Sequence, residues 1–205
     1  MPALLIVDDH PAICFALKVL LEEETTFQPV TCGGERLLPL IRECRPEIVI
    51  LDIELNGCDG MDMLPRIKQL DPAIKVLVMT SQPEQLYAAR AFQAGAEGFV
   101  NKQTALSAIV SLCQLLAEGY RCFPACAFEA AKHLAADCAP ESPLARLSDR
   151  EMAVLRYLKQ GQSHQAIASL LCISAKTVST YKTRMLEKSG GLTLEALFDL
   201  LEQVK

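Results

Sequence analysis

Residues Leu4 to His10 read "LLIVDDH". Four apolar residues run into two adjacent aspartates. A continuous apolar run of this kind fits a strand covered on both faces. Carboxylates do not belong in a strand interior, so Asp8 and Asp9 mark the strand's end and ask for a partner of opposite charge. Similar runs recur: "IVIL" (Ile48–Leu51) runs into Asp52, and "IKVLVMT" (Ile74–Thr80) ends on a hydroxyl. "FQPVTC" (Phe27–Cys32) and "EGFVN" (Glu97–Asn101) are weaker strand candidates. Helical spacing separates them, as in Ile13, Ala16, Leu17 and Leu20, or in Leu106, Ile109, Val110 and Cys113. Five strands alternating with five helices predict an α/β domain with a doubly wound parallel sheet.

The chain has 205 residues, 51% hydrophobic and 22% charged, enough for a large domain or a compact pair. No apolar run reaches the ~20 residues that span a bilayer, and "MPALLIVDDH" lacks the basic start of a signal peptide, so a cytoplasmic protein without membrane insertion is expected. The net charge of -5 is uneven: from Ser148 onward eight Lys+Arg face six Asp+Glu, whereas the earlier part is acidic. Two modules with different partners are expected. The nine cysteines lie mostly in apolar segments and form no CxxC pair. Cys122, Cys126, His133 and Cys138 cluster in the sequence, but their spacings lack the paired pattern of zinc sites, and packing thiols near a linker are expected.

In an open parallel sheet ligands bind outside the carboxyl ends of the strands. Collecting the strand-end residues gives Asp8, Asp9, Asp52, Thr80 and Lys102. Clustered carboxylates repel, and a hard cation such as Mg²⁺ relieves the repulsion. Asp52 can then attack a phosphoryl group, with Lys102 and Thr80 supporting the phosphoryl oxygens. Taken singly each residue has a plainer reading: a helix cap, a loop carboxylate, a strand threonine, a solvated lysine. His10 has no matching role and reads as a surface residue.

The rest of the chain is helical. Ser148 and Glu151 form a capping box, Ser163 starts a second helix, and Ser174 or Ala175 a third. Val178, Tyr181 and Met185 make an apolar stripe on the third, opposite Lys176, Ser179, Thr180, Lys182, Thr183 and Arg184. A basic, hydroxyl-rich helix face fits a reader of the DNA major groove. Leu194, Leu197, Phe198 and Leu201 define a final amphipathic helix.

The positions Asp8, Asp9, Asp52, Thr80 and Lys102, with Phe99 three before the lysine, resemble the receiver domain of bacterial two-component response regulators. "LSDREMAVLRYLKQGQS…IASLLCISAKTVSTYK" resembles the LuxR-type helix-turn-helix. Together they resemble the NarL/FixJ family, and "TVSTYKTR" resembles its BvgA-like branch of virulence and fimbrial regulators. The resemblance implies a flavodoxin/CheY-like receiver over residues 1–118 and a four-helix DNA-binding domain over 147–205; between them the prolines and alanines of 119–146 read as a linker with a short helix in "ACAFEAAKHLAA". It implies that Asp52 accepts phosphate from a sensor histidine kinase. Asp9 and Asp52 would ligate Mg²⁺ directly, Asp8 through water, and the Glu54 carbonyl would assist. Thr80 and Phe99 would be the switch pair. Ser163, Ser174, Lys176, Thr177, Ser179, Thr180, Lys182, Thr183 and Arg184 would meet double-stranded promoter DNA, as a homodimer once phosphorylated, with RNA polymerase as a further partner. The only catalysis implied is self-catalysed phosphoryl transfer and autodephosphorylation at Asp52. Departures are Gln103 in place of a proline, His164-Gln165-Ala166 in place of Asn-Lys-Glu, and Ser179 in place of a lysine. Two rival readings stand beside this one: a haloacid-dehalogenase-like phosphatase acting through an aspartyl phosphate, and a constitutively dimeric regulator indifferent to phosphorylation.

Overall fold

A computed structural model of the chain describes residues 2–128 and 142–204. Five parallel strands form one sheet: β1 (Ala3–Val7), β2 (Gln28–Cys32), β3 (Ile48–Leu51), β6 (Lys75–Thr80) and β7 (Gly98–Asn101), in the order β2-β1-β3-β6-β7. A small antiparallel ladder, β4 (Glu54–Leu55) and β5 (Cys58–Asp59), follows β3. Helices α1 (Pro11–Glu24), α2 (Leu37–Cys44), α3 (Gly60–Leu70), α4 (Glu84–Gln93) and α5 (Leu106–Ala117) cover both faces. Every residue of β3 is fully buried, which is why its sequence is apolar without alternation. Two buried clusters result, one on each side of the sheet.

The register places the strand ends together. Val7 pairs with Leu51 across β1 and β3, so Asp8 and Asp52 leave the two central strands side by side. The Asp52 N–H donates to the Val7 carbonyl at 2.9 Å. On the other flank Thr80 pairs with Asn101, and the Lys102 N–H donates to the Thr80 carbonyl at 2.9 Å. The order reverses between β1 and β3, the topological switch point where such sheets bind ligands.

The segment after α5 does not leave the sheet at once. Cys122 bridges Gly98, its carbonyl accepting from the Phe99 N–H and its own N–H donating to the Glu97 carbonyl, both at 2.9 Å. Phe92, Phe123 and Phe128 then meet edge to face. His133, Cys138 and most of the expected linker helix lie outside the described residues.

Beyond Ser142 the chain is helical: α6 (Asp149–Lys159), α7 (His164–Leu170), α8 (Ala175–Lys188) and α9 (Leu194–Gln203). The first three caps are residues that the sequence proposes, and the fourth, Thr193, is not. Ser148 and Glu151 form a reciprocal capping box on α6, and Ser163, Ser174 and Thr193 cap the next three helices. Val178 and Met185 of α8, with Leu197 and Leu201 of α9, close the helical core. Among the described residues no helix is long and apolar enough to cross a membrane.

Gly60 sets the tightest approach in the fold. A Cβ at this position would lie 2.0 Å from the Asp52 carbonyl oxygen. Gly60→Ala is expected to destabilise the protein by about 1–3 kcal/mol, read as a lower urea midpoint. An unchanged midpoint would show that this approach is not a constraint.

Candidate functional site

At the carboxyl edge of the sheet, Asp8 and Asp52 converge on one ammonium group. Lys102 Nζ lies 2.6 Å from Asp8 Oδ2 and 2.8 Å from Asp52 Oδ2, and all three side chains are almost wholly buried. The Glu54 N–H donates to Asp52 Oδ1 at 3.2 Å. Burial pushes the Asp52 carboxyl up to about 6, and Lys102 pulls it down without cancelling that effect. Burial works against the Lys102 ammonium, but its hydrogen bonds to Asp52 and Asp8 outweigh it and raise its pKa.

Thr80 is fully buried at the end of β6, where its hydroxyl accepts from the Gln82 N–H at 3.2 Å. Phe99 is buried in the cluster that also holds Tyr87. Asp9 faces elsewhere: its Oδ2 accepts from the Asn56 N–H, in the loop joining β4 and β5. His10, read from the sequence as a surface residue, is exposed but takes part in the site. Its N–H donates to Asp8 Oδ1 at 2.8 Å, its Nδ1 lies 2.9 Å from the same oxygen, and Lys102 Nζ is 3.3 Å from that nitrogen. Ligand atoms of Asp8, His10 and Asp52 all fall within 4.8 Å of one another. Nothing in the spacing of "DDHP" signals this, because α1 begins at Pro11 and the turn before it folds the ring back onto Asp8.

The donor set fits a hard divalent cation. Two buried carboxylates already hold a positive group between them, and oxygen donors are what Mg²⁺ prefers.

On the helical domain, Lys176, Ser179, Thr180, Thr183 and Arg184 of α8 are exposed, while Thr177 and Lys182 are half-buried. Ser174 and Thr177 are partly committed to the helix start, where the Thr177 N–H donates to Ser174 Oγ at 3.0 Å. His164, at a position that departs from the family pattern, places Nδ1 3.3 Å from Ser179 Oγ.

The two domains meet through charges the sequence did not flag. Arg156 of α6 is buried, with Nη2 donating to Asp59 Oδ2 at 2.8 Å and its guanidinium 5.3 Å from the centre of the Tyr87 ring. Arg150 pairs with Asp62, and Arg90 with Asp149 at 2.8 Å. The Cys172 thiol, in the turn before α8, donates to the Gly57 carbonyl at 3.1 Å. One apolar cluster runs from receiver residues such as Leu86 and Tyr87 into Leu144, Met152 and Leu155. The contact is made by α6 and the turn before α8.

Comparison with known proteins agrees with this architecture. Residues 4–114 match the response regulator receiver domain family, and residues 145–190 match the bacterial regulatory proteins of the luxR family. The chain is 37% identical over 201 residues to the virulence-factor transcription regulator BvgA of Bordetella pertussis, covering 97% of this chain and 96% of BvgA. It belongs to the NarL/FixJ family of response regulators. Among solved structures of this family, RcsB from Salmonella enterica serovar Typhimurium, bound to promoter rprA with a phosphomimetic, matches with a TM-score of 0.69 and 25% identity over 98% of this chain and 99% of that one. A structure of two RcsB dimers on two parallel DNAs matches with a TM-score of 0.72 and 25% identity, over the same shares of the two chains. The phosphatase reading is not favoured for a member of this family with a LuxR-type domain.

The raised Asp52 pKa carries a sign. The folded state binds the proton more tightly than the unfolded chain, so the neutral acid is favoured at low pH and stability falls as pH rises through about 6. Asp52→Asn is therefore expected to melt higher than the parent at neutral pH without divalent cations, by roughly 1–3 kcal/mol, and to lose that advantage near pH 4. Equal melting temperatures at neutral pH would contradict a strained carboxylate.

Proposed function

We propose that this chain is the phosphorylation-controlled DNA-binding transcription regulator of a bacterial two-component system, acting in the cytoplasm. The observation that carries the reading is the convergence of Asp8, Asp52 and Lys102 at the switch point of the sheet, in a chain whose α8 exposes a basic, hydroxyl-rich face.

An Asp52 carboxylate oxygen attacks the phosphorus of a donor phosphohistidine, a P–O bond forms as the P–N bond breaks, and the imidazole leaves. The Lys102 ammonium, now on Asp52 and Asp8, turns toward the phosphoryl oxygens, and the Thr80 hydroxyl donates to one of them. Asp9 and Asp52 would hold Mg²⁺ directly and Asp8 through water, with help from the Glu54 carbonyl, and the ion would supply charge neutralisation to those oxygens. Later a water molecule attacks phosphorus, phosphate departs, and the carboxylate is restored. Turnover is confined to this self-catalysed cycle.

Phosphorylation favours a homodimer on a two-fold promoter site, with α8 in the major groove and RNA polymerase as a further partner. Because α8 faces solvent while α6 docks on the receiver, control acts on the orientation and pairing of the DNA-binding domains, not on access to α8. The domain limits follow: receiver to about residue 118, helical domain from 147.

Acetyl phosphate with Mg²⁺ is expected to label the protein on Asp52, seen by intact mass spectrometry as a gain of about 80 daltons, one phosphoryl group. If Asp52→Asn gains the same mass, the acceptor is elsewhere. For the helical domain, Arg184→Ala or Lys176→Ala is expected to weaken binding to all duplexes alike and to lower the slope of log K against log salt by about 1. An unchanged slope would remove those side chains from the phosphate contacts.

A further inference from the structure

His10 brings a nitrogen donor to a site otherwise lined with oxygen. Its side chain is exposed at the edge of the site, yet Nδ1 lies 2.9 Å from the buried Asp8 Oδ1. Asp8, His10 and Asp52 each offer one ligand atom, and these atoms lie within 4.8 Å of one another. Asp8 Oδ2, Asp52 Oδ2 and His10 Nδ1 also converge on a single positive centre, the Lys102 ammonium, at 2.6, 2.8 and 3.3 Å. One nitrogen cannot serve both neighbours at once. With its proton Nδ1 donates to Asp8, and with its lone pair it faces a cation.

Two further contacts make room for a nitrogen ligand. The Asp9 carboxylate already gives Oδ2 to the Asn56 N–H. Asp8 Oδ2 is buried and accepts no hydrogen bond among the described residues, so the Lys102 ammonium is the group that offsets its charge. Once Lys102 turns toward phosphoryl oxygens, that oxygen needs another cation beside it. Oxygen donors alone suit Mg²⁺. An imidazole nitrogen adds affinity for first-row transition ions and little for Mg²⁺, which gives up its water reluctantly.

Resting on the reading of Asp52 as phosphoryl acceptor with a cation beside it, we propose that His10 Nδ1 is a ligand to that cation and makes the site selective for a divalent first-row transition ion, such as Mn²⁺, over Mg²⁺. Asp9 and Asp52 supply oxygen, and the imidazole takes a place that an all-oxygen site leaves to water. The ion keeps its charge throughout, so the phosphoryl transfer itself is unchanged.

Mn²⁺ is the probe, because the chain's nine cysteines compete for softer ions. The full-length chain is titrated with Mn²⁺ at mildly alkaline pH, where imidazole ligands are neutral, and free Mn²⁺ is read by electron paramagnetic resonance. A second titration adds Mg²⁺ as competitor. Mn²⁺ is expected to bind roughly tenfold more tightly than Mg²⁺, and pulsed resonance of the bound ion to show coupling to a directly bonded nitrogen. His10→Ala and His10→Asn are each expected to lose that coupling and most of the preference for Mn²⁺. Asp52→Asn is expected to weaken both ions together, which places them beside the acceptor. Absence of nitrogen coupling in the parent, its persistence in both His10 variants, or equal weakening of Mn²⁺ and Mg²⁺ by His10→Ala would overturn the ligand role, while labelling of Asp52 by acetyl phosphate and Mg²⁺ would still stand. Absence of label on the parent with either ion would overturn the acceptor reading on which the proposal rests.

Discussion

The structure turns on one unfavourable arrangement, two carboxylates buried side by side where adjacent parallel strands end. Asp8 and Asp52 cannot separate, because β1 and β3 are locked in register by backbone hydrogen bonds one residue earlier. Their charge is offset by a single ammonium from the other end of the receiver sequence. Lys102 reaches them only because β7 pairs with β6 and stops in register with Thr80. A residual strain survives as the raised Asp52 pKa. The same strain underlies the proposed chemistry: a poorly solvated carboxylate already organised toward a cation is suited to the acceptor role proposed for Asp52.

The contact between the domains uses the same physics on a larger scale. Arg156 is buried against Asp59 and lies over Tyr87, with Arg150–Asp62 and Arg90–Asp149 around it. Buried ion pairs of this kind favour one geometry strongly while adding little net stability. A domain docked through α6 leaves the basic, hydroxyl-rich face of α8 in water.

Legibility followed physical range. Strand interiors, helix caps and the apolar stripe of α8 are local, and Ser148, Ser163 and Ser174 fell where their hydroxyls could meet nearby N–H groups. The strand-end set was legible because a parallel sheet brings its carboxyl ends to one edge whatever the side chains do. The hydrogen-bond partners of Asp9 and His10 were not legible from spacing alone. The chain turns sharply between β1 and α1, and that turn sends Asp9 to Asn56 and folds His10 back on Asp8. Arg156 carried no signal at all, since an arginine in a helical heptad reads as a solvated charge.

By itself the sequence determined the elements and the groups at their ends: apolar runs make strands, their terminal aspartates, threonine and lysine gather at one edge, and a capped trihelical pattern makes the second domain. Those features depend on neighbours within a few residues or on the alternation of strand and helix. Only the tertiary structure decided that Lys102 lies between Asp8 and Asp52, that His10 joins them, and that Arg156 closes on Asp59 from 97 residues away. Each of those contacts is charged and long-range, and its strength comes from exclusion of water, which exists only once the chain is packed.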